Sequence, residues 1–310
     1  MFQAEVMMEK GRVINLNGGI YKVLLKDGSI VSVKARGKLR SDKKMVVNTK
    51  SLSKKASLAS VKNSPKVGDV VFIDNDMIDH FEPRKNEMIR PDISNVDQIL
   101  LVFAAKEPDF SFYLLDLFIV NILKQNIIPC IVISKIDKLS EEELIDLKNK
   151  MHYYENMGYK VLYVNSLTNE GIELVKEALD NKITVLSGQT GAGKSTLINA
   201  ILPEFSLKTQ EISYALGRGK HTTRETNLYI YNNGFIGDTP GFSKLDVLGV
   251  EAFELSDLFV DFDGHFCQFK DCNHQNNIKG CGIIKAVENG EILASRYESY
   301  LRMYKQIKER

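Results

Sequence analysis

The chain has 310 residues, 44% of them apolar and 26% charged, with a formal net charge of +1, the profile of an ordinary globular protein of two or three domains. No uncharged stretch approaches the roughly 18 residues that cross a bilayer, and the N-terminal MFQAEVMMEKGR lacks the apolar segment of a secretory signal, so the expectation is a cytoplasmic protein without membrane association. The small net charge hides an asymmetry, because residues 1–70 hold 15 Lys and Arg against 5 Asp and Glu, or +10, leaving −9 for the remainder.

In chain order, GRVINLN, GIYKVLL and SIVSVKA alternate like short strands, separated by the turn signals Asn17-Gly18-Gly19 and Lys26-Asp27-Gly28, and VGDVVFI follows at 67–73. Several short strands with glycine turns in so few residues predict a small β-barrel, with the OB-fold as its natural form. Between Lys34 and Lys66, 11 basic residues face one acid, Asp42. The Ser/Lys-rich part between Arg40 and Pro65 shows little periodicity and is expected to be a mobile loop. A basic module on an acidic body fits a polyanionic partner, nucleic acid above all.

From about residue 96 the rhythm becomes strand and helix in alternation. QILLVFAA, IIPCIVI, KVLYV and ITVLS are apolar runs of parallel-strand length, with helices expected near 110–124, 140–157 and 170–180. A hairpin of TNLYIYN and GFIGDT closes this α/β domain, and the rest reads as a helical, cysteine-bearing tail with a helix over 291–308.

GQTGAGKST, residues 188–196, satisfies G-x-x-x-x-G-K-[ST] between a strand and a helix. Its glycines let backbone N–H groups wrap phosphates at a helix N-terminus. The expected nucleotide contacts are Gly188, Gly191, Gly193, Lys194, Ser195 and Thr196, with Lys194 on the β and γ phosphates and Ser195 on Mg²⁺. In DTPG downstream, Asp238 is a candidate Mg²⁺ ligand and Gly241 a γ-phosphate sensor. GRGKHTTRET between them has the character of a switch, in which Thr222 or Thr223 closes over the metal.

Reading guanine takes a carboxylate that accepts from both ring N1–H and the exocyclic amine. Adenine leaves it unpaired, at a cost of roughly 1–3 kcal/mol or more. Ser243-Lys244-Leu245-Asp246 follows no strand and is a decoy. Ser134-Lys135-Ile136-Asp137 directly follows IIPCIVI, which sets Asp137 at the carboxyl end of a parallel strand, where such sheets bind ligands. Ser166, in the loop after KVLYV, is placed to offer a backbone amide to guanine O6. The base-reading elements thus precede the phosphate loop, the pattern of a circularly permuted domain.

Near the C-terminus, Cys267, Cys272, His274 and Cys281 form C-x₄-C-x-H-x₆-C, a donor set for a closed tetrahedral Zn²⁺ site. His265 is a weaker alternative ligand, and Cys130, alone in a predicted strand, is expected in the core.

The order SKID, NSL, GQTGAGKST, HTT, DTPG resembles the circularly permuted GTPases of the RsgA/YjeQ family, the ribosome small-subunit-dependent GTPase A. The similarity extends to RGKLR at 36–40, PKVGDVV, RPDISNVDQ and the cysteine cluster. It implies an N-terminal OB-fold (1–75), a GTPase domain (76–245) and a C-terminal zinc domain (246–310). It also implies GTP hydrolysis to GDP stimulated by the 30S subunit, a role in late subunit maturation, contact with 16S rRNA and a monomer. Arg36, Lys38 and Arg40 would contact phosphates without reading sequence. The family usually carries Asn where this chain has Ser134; a hydroxyl makes fewer contacts than an amide, so weaker guanine affinity is expected.

After DTPG, where many GTPases place a water-orienting Gln, stands Phe242. Intrinsic turnover should therefore be slow, on the order of 10⁻⁴–10⁻³ s⁻¹. His221, which resembles a proposed catalytic histidine of the family, is the candidate to orient water, with Lys194 and Thr223 completing the catalytic set. Two other readings share these motifs: a small-molecule kinase or ATPase, separated by nucleotide preference, and an RNA-binding protein with structural nucleotide, separated by the absence of ribosome-dependent phosphate release.

Overall fold

A computed structural model describes residues 8–40, 42–47, 56–61, 64–88, 91–202, 226–238, 247, 249–276 and 278–309. They gather into two compact units, one drawn from Met1–Val96 and Thr222–Thr239, the other from Asp97–His221 and Pro240–Arg310.

The first unit begins with β1 (Glu9–Asn17), β2 (Ile20–Leu25), β3 (Ile30–Ala35), β4 (Asp42–Val47), β5 (Ala56–Val61), β6 (Val70–Asp74) and β7 (Met77–Phe81). Five of these close on themselves in the order β1-β2-β3-β7-β6, because β1 also pairs with β6; β3 and β7 run parallel and the other contacts are antiparallel. This is the expected OB barrel. Alternation sends Val13, Tyr21, Val23, Val33, Val71 and Ile78 into the core, while Lys22, Ser32 and Lys34 face out. A bulge between Val13 and Asn15 bends β1, the usual means of turning a strand from one partner to another.

The segment expected as a loop departs from that reading. β4 and β5 pair antiparallel, from Asp42 opposite Val61 to Val47 opposite Ala56. Strand formers such as Val46, Val47, Leu58 and Val61 lie among lysines and serines, which mask the alternation. Next, β8 (Glu87–Met88) and β9 (Ile93–Ser94) form a short hairpin. It lies beside fully buried Asp69, which accepts from Arg84 Nε at 2.9 Å, Arg84 Nη2 at 2.7 Å and Ser94 Oγ at 2.5 Å.

In the second unit, β10 (Gln98–Ala104), β11 (Ile128–Ser134), β12 (Lys160–Val164) and β13 (Ile183–Gly188) form a parallel array ordered β12-β11-β10-β13. All seven residues of β10 are buried, as a near-continuous apolar run requires. The connections are α1 (Phe112–Leu123), α2 (Glu141–Asn156) and α3 (Ile172–Leu179), and α4 (Lys194–Ile201) follows β13. Serine caps start the first two: Ser111 Oγ accepts from Leu114 N–H, and Ser140 forms a capping box with Glu143. Cys130 is buried in β11, and burial pushes its thiol up to about 11, as a core residue.

The tail adds α5 (Gly282–Glu288) and α6 (Ala294–Lys308) to the second unit. Its core, with Phe259, Phe262, Tyr300, Met303 and Tyr304, includes Leu117 and Val120 of α1. Across this core Arg296, wholly buried, donates to Asp116 Oδ1 at 2.6 Å and Asp261 Oδ1 at 2.5 Å. Burial opposes its charge, but the two carboxylates outweigh that and raise its pKa well above the ordinary value. The last two strands, β14 (Asn227–Tyr231) and β15 (Gly234–Asp238), form the expected hairpin in the first unit, where Asn227 stands opposite Asn15 of β1. Among the described residues no helix is long and apolar enough to cross a membrane.

Candidate nucleotide site and candidate metal centre

Parallel strands deliver their loops to one edge of the sheet, and the loops after β11, β12 and β13 meet there. β13 ends at Gly188 with φ 131°, and a Cβ at that position would lie 2.0 Å from Val102 O on the paired strand. Only glycine lets the chain leave the sheet at this point. Gly191 follows in the loop, and Gly193, left-handed at φ 82°, caps α4. Lys194 is the first residue of α4, and its Nζ donates to the carbonyls of Gly188 at 2.9 Å and Gln189 at 2.7 Å. The ammonium is thus held over the loop whose amides would bind phosphate. Partial burial lowers its pKa. Ser195 and Thr196 are exposed on the first helical turn.

Beside this loop lies an open pocket of ≈ 140 Å³ lined by Ser134, Lys135, Asp137, Lys138, Asn165, Ser166, Leu167, Gly193 and Thr196. The SKID motif, the loop after KVLYV and the end of the phosphate loop, separate in sequence, thus share one cavity. Asp137 is exposed there and its carboxylate has no hydrogen-bond or ion-pair partner among the described residues, so both oxygens are free to accept. Lys135 is left-handed at φ 57° and donates from Nζ to Glu107 O. Its Cε lies 3.8 Å from the Cβ position of Gly193, so its stem crosses the phosphate loop.

Ser134 departs from expectation in an informative way. Its buried hydroxyl lies 3.2 Å from Phe103 O and 2.6 Å from Ala192 O. A hydroxyl has one proton to give, and the shorter contact takes it. Ser134 therefore ties the base-side loop to the phosphate loop, and its shortness is matched to a nearby carbonyl. Asn165 shapes the opposite wall, accepting on Oδ1 from Leu167 N–H at 3.0 Å. The sequence reading includes Asn165 and Leu167 in the NSL loop without giving them a role, and it misses Lys138. An Asn directly after a strand is a turn signal and marks Asn165, whereas Lys138 is recognisable only through its ion pair with Glu107 in the loop after β10.

The remaining candidates are placed differently. Asp238 ends β15, whereas His221, Thr222, Thr223 and Gly241 lie outside the described residues, as does the SKLD decoy.

At the tail, the donor atoms of Cys267, Cys272, His274 and Cys281 all lie within 4.8 Å of one another. Cys267 Sγ is 3.7 Å from Cys281 Sγ and 3.4 Å from His274 Nδ1, and Cys281 Sγ is 3.5 Å from the same nitrogen. A tetrahedral zinc with bonds of about 2.3 Å to sulfur and about 2.0 Å to nitrogen has edges of about 3.7 and 3.5 Å, so the residues fit the ion. Burial lowers the His274 pKa, the direction that favours the neutral ring a metal ligand needs. Gly282 allows the approach, since a Cβ there would sit 2.4 Å from Phe266 O. His265 is not among the clustered donors; its Nδ1 faces Glu291 at 3.6 Å. Tyr297 and Tyr300 of α6 donate to the carbonyls of His274 at 2.7 Å and Asn273 at 2.9 Å.

A parallel sheet whose candidate base-reading loops precede its G-x-x-x-x-G-K-[ST] loop in the chain, with an OB barrel before and a Cys₃His cluster after, defines a circularly permuted GTPase, an enzyme that hydrolyses GTP. Residues 81–248 match the family described as RsgA GTPase, and the chain belongs to that family. It is 43% identical over 309 residues to the small ribosomal subunit biogenesis GTPase RsgA of Onion yellows phytoplasma (strain OY-M), covering 97% of this chain and 98% of that one. To the protein of the same description from Staphylococcus saprophyticus it is 40% identical over 310 residues, covering 98% and 99%. Among solved structures, YjeQ from Thermotoga maritima superposes with a TM-score of 0.80 at 32% identity, covering 98% of this chain and all of that one. YloQ, described as a circularly permuted GTPase, gives 0.76 at 30% identity, covering 100% and 98%.

Proposed function

We propose that this GTPase binds the small (30S) ribosomal subunit, acts in its late maturation, and hydrolyses GTP to GDP and phosphate at a rate the subunit stimulates. The observation that carries the reading is the single pocket shared by unpartnered Asp137, Ser166 and the end of the phosphate loop; the relatives' descriptions supply the subunit. Residues 1–75 act as an RNA-binding module on 16S rRNA, 76–245 as the GTPase domain and 246–310 as the zinc domain, in a monomer working in the cytoplasm.

In this reading Gly188, Gly191, Gly193 and Lys194 hold the phosphates, and Asp137 selects guanine. Ser195, Asp238 and Thr223 or its neighbour Thr222 would hold Mg²⁺ with the nucleotide, and the ion would supply charge neutralisation at the transferring phosphoryl group. Gly241 senses that group and His221 orients the attacking water. A Cys₃His site leaves no open position, so zinc folds the tail and takes no part in the chemistry.

The test is GTP turnover by the full chain with and without purified 30S subunits, with Lys194→Ala as control. Acceleration that vanishes in the control is expected; an unchanged rate on adding subunits would overturn the reading. In the same assay His221→Ala should lose stimulation while binding nucleotide normally, and retained stimulation removes His221 from the mechanism.

A further inference from the structure

The switch-like GRGKHTTRET ends at Thr226 and DTPG begins at Asp238. Between them stands only the β14–β15 hairpin, in which Asn227 pairs with Asp238 and Tyr231 with Gly234. The residue after one segment thus lies directly opposite the first residue of the other. The same Asn227 stands opposite Asn15 of β1 and accepts on Oδ1 from Asn15 Nδ2. Asn15, Asn227 and Asp238 therefore occupy one row across three successive strands, each about 4.7–4.9 Å from the next. β1 reaches this row through a change of partner. Over Glu9–Arg12 it pairs with β6, the bulge between Val13 and Asn15 follows, and Asn15 then takes β14. Arg12 makes a second contact: its guanidinium donates to Gly68 O at 2.7 Å and stands 5.7 Å from the ring centroid of Phe235 on β15.

We propose that Asn15 of the barrel is a positioning residue for the GTP-sensing segment: by holding Asn227 it sets the register of the row that ends in Asp238, and so affects GTP affinity more than GDP affinity. The inference rests on the proposed roles of Asp238 and Gly241. Asn15 opposite Asn227 is the one register pair that β1 and β14 share among the described residues, and a single backbone pairing holds register weakly. A slip by one residue turns each side chain to the other face and moves the start of DTPG by one strand position. An amide that donates to an amide adds a side-chain lock, since each group offers its donor and its acceptor from fixed atoms. GDP lacks the phosphate that DTPG would sense. A ligand shifts a conformational equilibrium only through its differential affinity for the two states, so loosening the row should weaken GTP and spare GDP.

The experiment measures the affinities of the full chain for a non-hydrolysable GTP analogue and for GDP, by displacement of a fluorescent GDP analogue. Asn15→Ala should weaken binding of the GTP analogue about fivefold, the loss of roughly one hydrogen bond, with GDP affinity within twofold of the parent's. Asn227→Ala should do the same, and the double variant should bind no more weakly than either single one, since both remove the same bond. Losses that add in the double variant overturn the pairing. Val23→Ala, which opens a cavity in the barrel core, should lower the melting temperature and leave the ratio of the two affinities unchanged. If Val23→Ala lowers that ratio as Asn15→Ala does, the effect is barrel stability and the positioning role falls. Asp238→Ala separates the inference from the reading beneath it. If Asp238→Ala lowers the ratio while Asn15→Ala keeps it, the role of Asn15 is wrong and that of Asp238 stands. If Asp238→Ala itself keeps the ratio, the reading of DTPG fails and the inference fails with it.

Discussion

In the barrel, strands from one short stretch of chain close around Val13, Val23, Val33, Val71 and Ile78, and its buried Asp69 finds Arg84 only 15 residues away. The cysteine-bearing tail has no such self-sufficiency. Its core takes Leu117 and Val120 from α1, and its buried Arg296 finds Asp116 across 180 residues. Both regions are small, and small regions are short of apolar surface to bury. The barrel meets the shortage by closing a sheet. The tail meets it with a Cys₃His cluster whose donors fit a zinc ion and with a helix borrowed from the parallel sheet. The barrel's buried ion pair is internal to it, whereas the tail and α1 stand or fall together.

The largest effect should come from breaking the shared ion network. Arg296→Met leaves Asp116 and Asp261 buried without their cation, at a cost of about 3–5 kcal/mol. For a unit of roughly 200 residues this lowers the melting temperature by roughly 6–20 °C, and calorimetry should show tail and nucleotide unit melting together. Arg84→Met, the counterpart in the barrel, should cost a similar amount while leaving GDP affinity within twofold. If Arg84→Met weakens GDP binding as much as Arg296→Met does, the contrast between the regions is wrong.

Next in size, Leu117→Ala removes a residue of α1 that belongs to the tail's core cluster and should cost about 2–5 kcal/mol. It should also speed zinc loss to a colorimetric chelator, because α6 holds the carbonyls of His274 and Asn273 through Tyr297 and Tyr300. Stripping zinc from the parent chain should lower the same melting transition that Leu117→Ala lowers, with the barrel's transition unmoved. A chelator that shifts both transitions equally contradicts this division.

How much of this was legible in the sequence depends on how far each interaction reaches. Barrel strands declare themselves by alternation within five or six residues, and the phosphate loop and the cysteine cluster are each local patterns. β10 to β13 follow from apolar runs, and Asp137 from its place after one of them. The β4–β5 pair was hidden because its partners lie 9 to 19 residues apart in lysine- and serine-rich sequence. Arg36 pairs with Asp74 and Asp79, and Arg296 with Asp116; no local pattern marks such pairs. The hydrogen bond of Ser134 to Ala192 O leaves no local mark either, because that carbonyl comes from a loop 58 residues later.

The smallest of the expected effects concerns that serine. Ser134→Ala leaves Ala192 O unpaired and loosens the phosphate loop against the base-side loop, at about 1 kcal/mol. GTP and GDP affinity should both fall about fivefold, with the barrel's stability unchanged. A loss confined to GTP would place the role of Ser134 at the γ-phosphate instead.

The central claim is that a base-reading carboxylate early in the chain and a phosphate loop late in it form one guanine site. Competition of GTP and ATP for a fluorescent GDP analogue bound to the parent chain and to Asp137→Ala tests it most directly. The parent should prefer GTP, and the exposed, unpartnered Asp137 should be dispensable for folding, so Asp137→Ala should lose most of that preference at an unchanged melting temperature. Equal binding of ATP by the parent, or a guanine preference that survives in Asp137→Ala, would contradict the account.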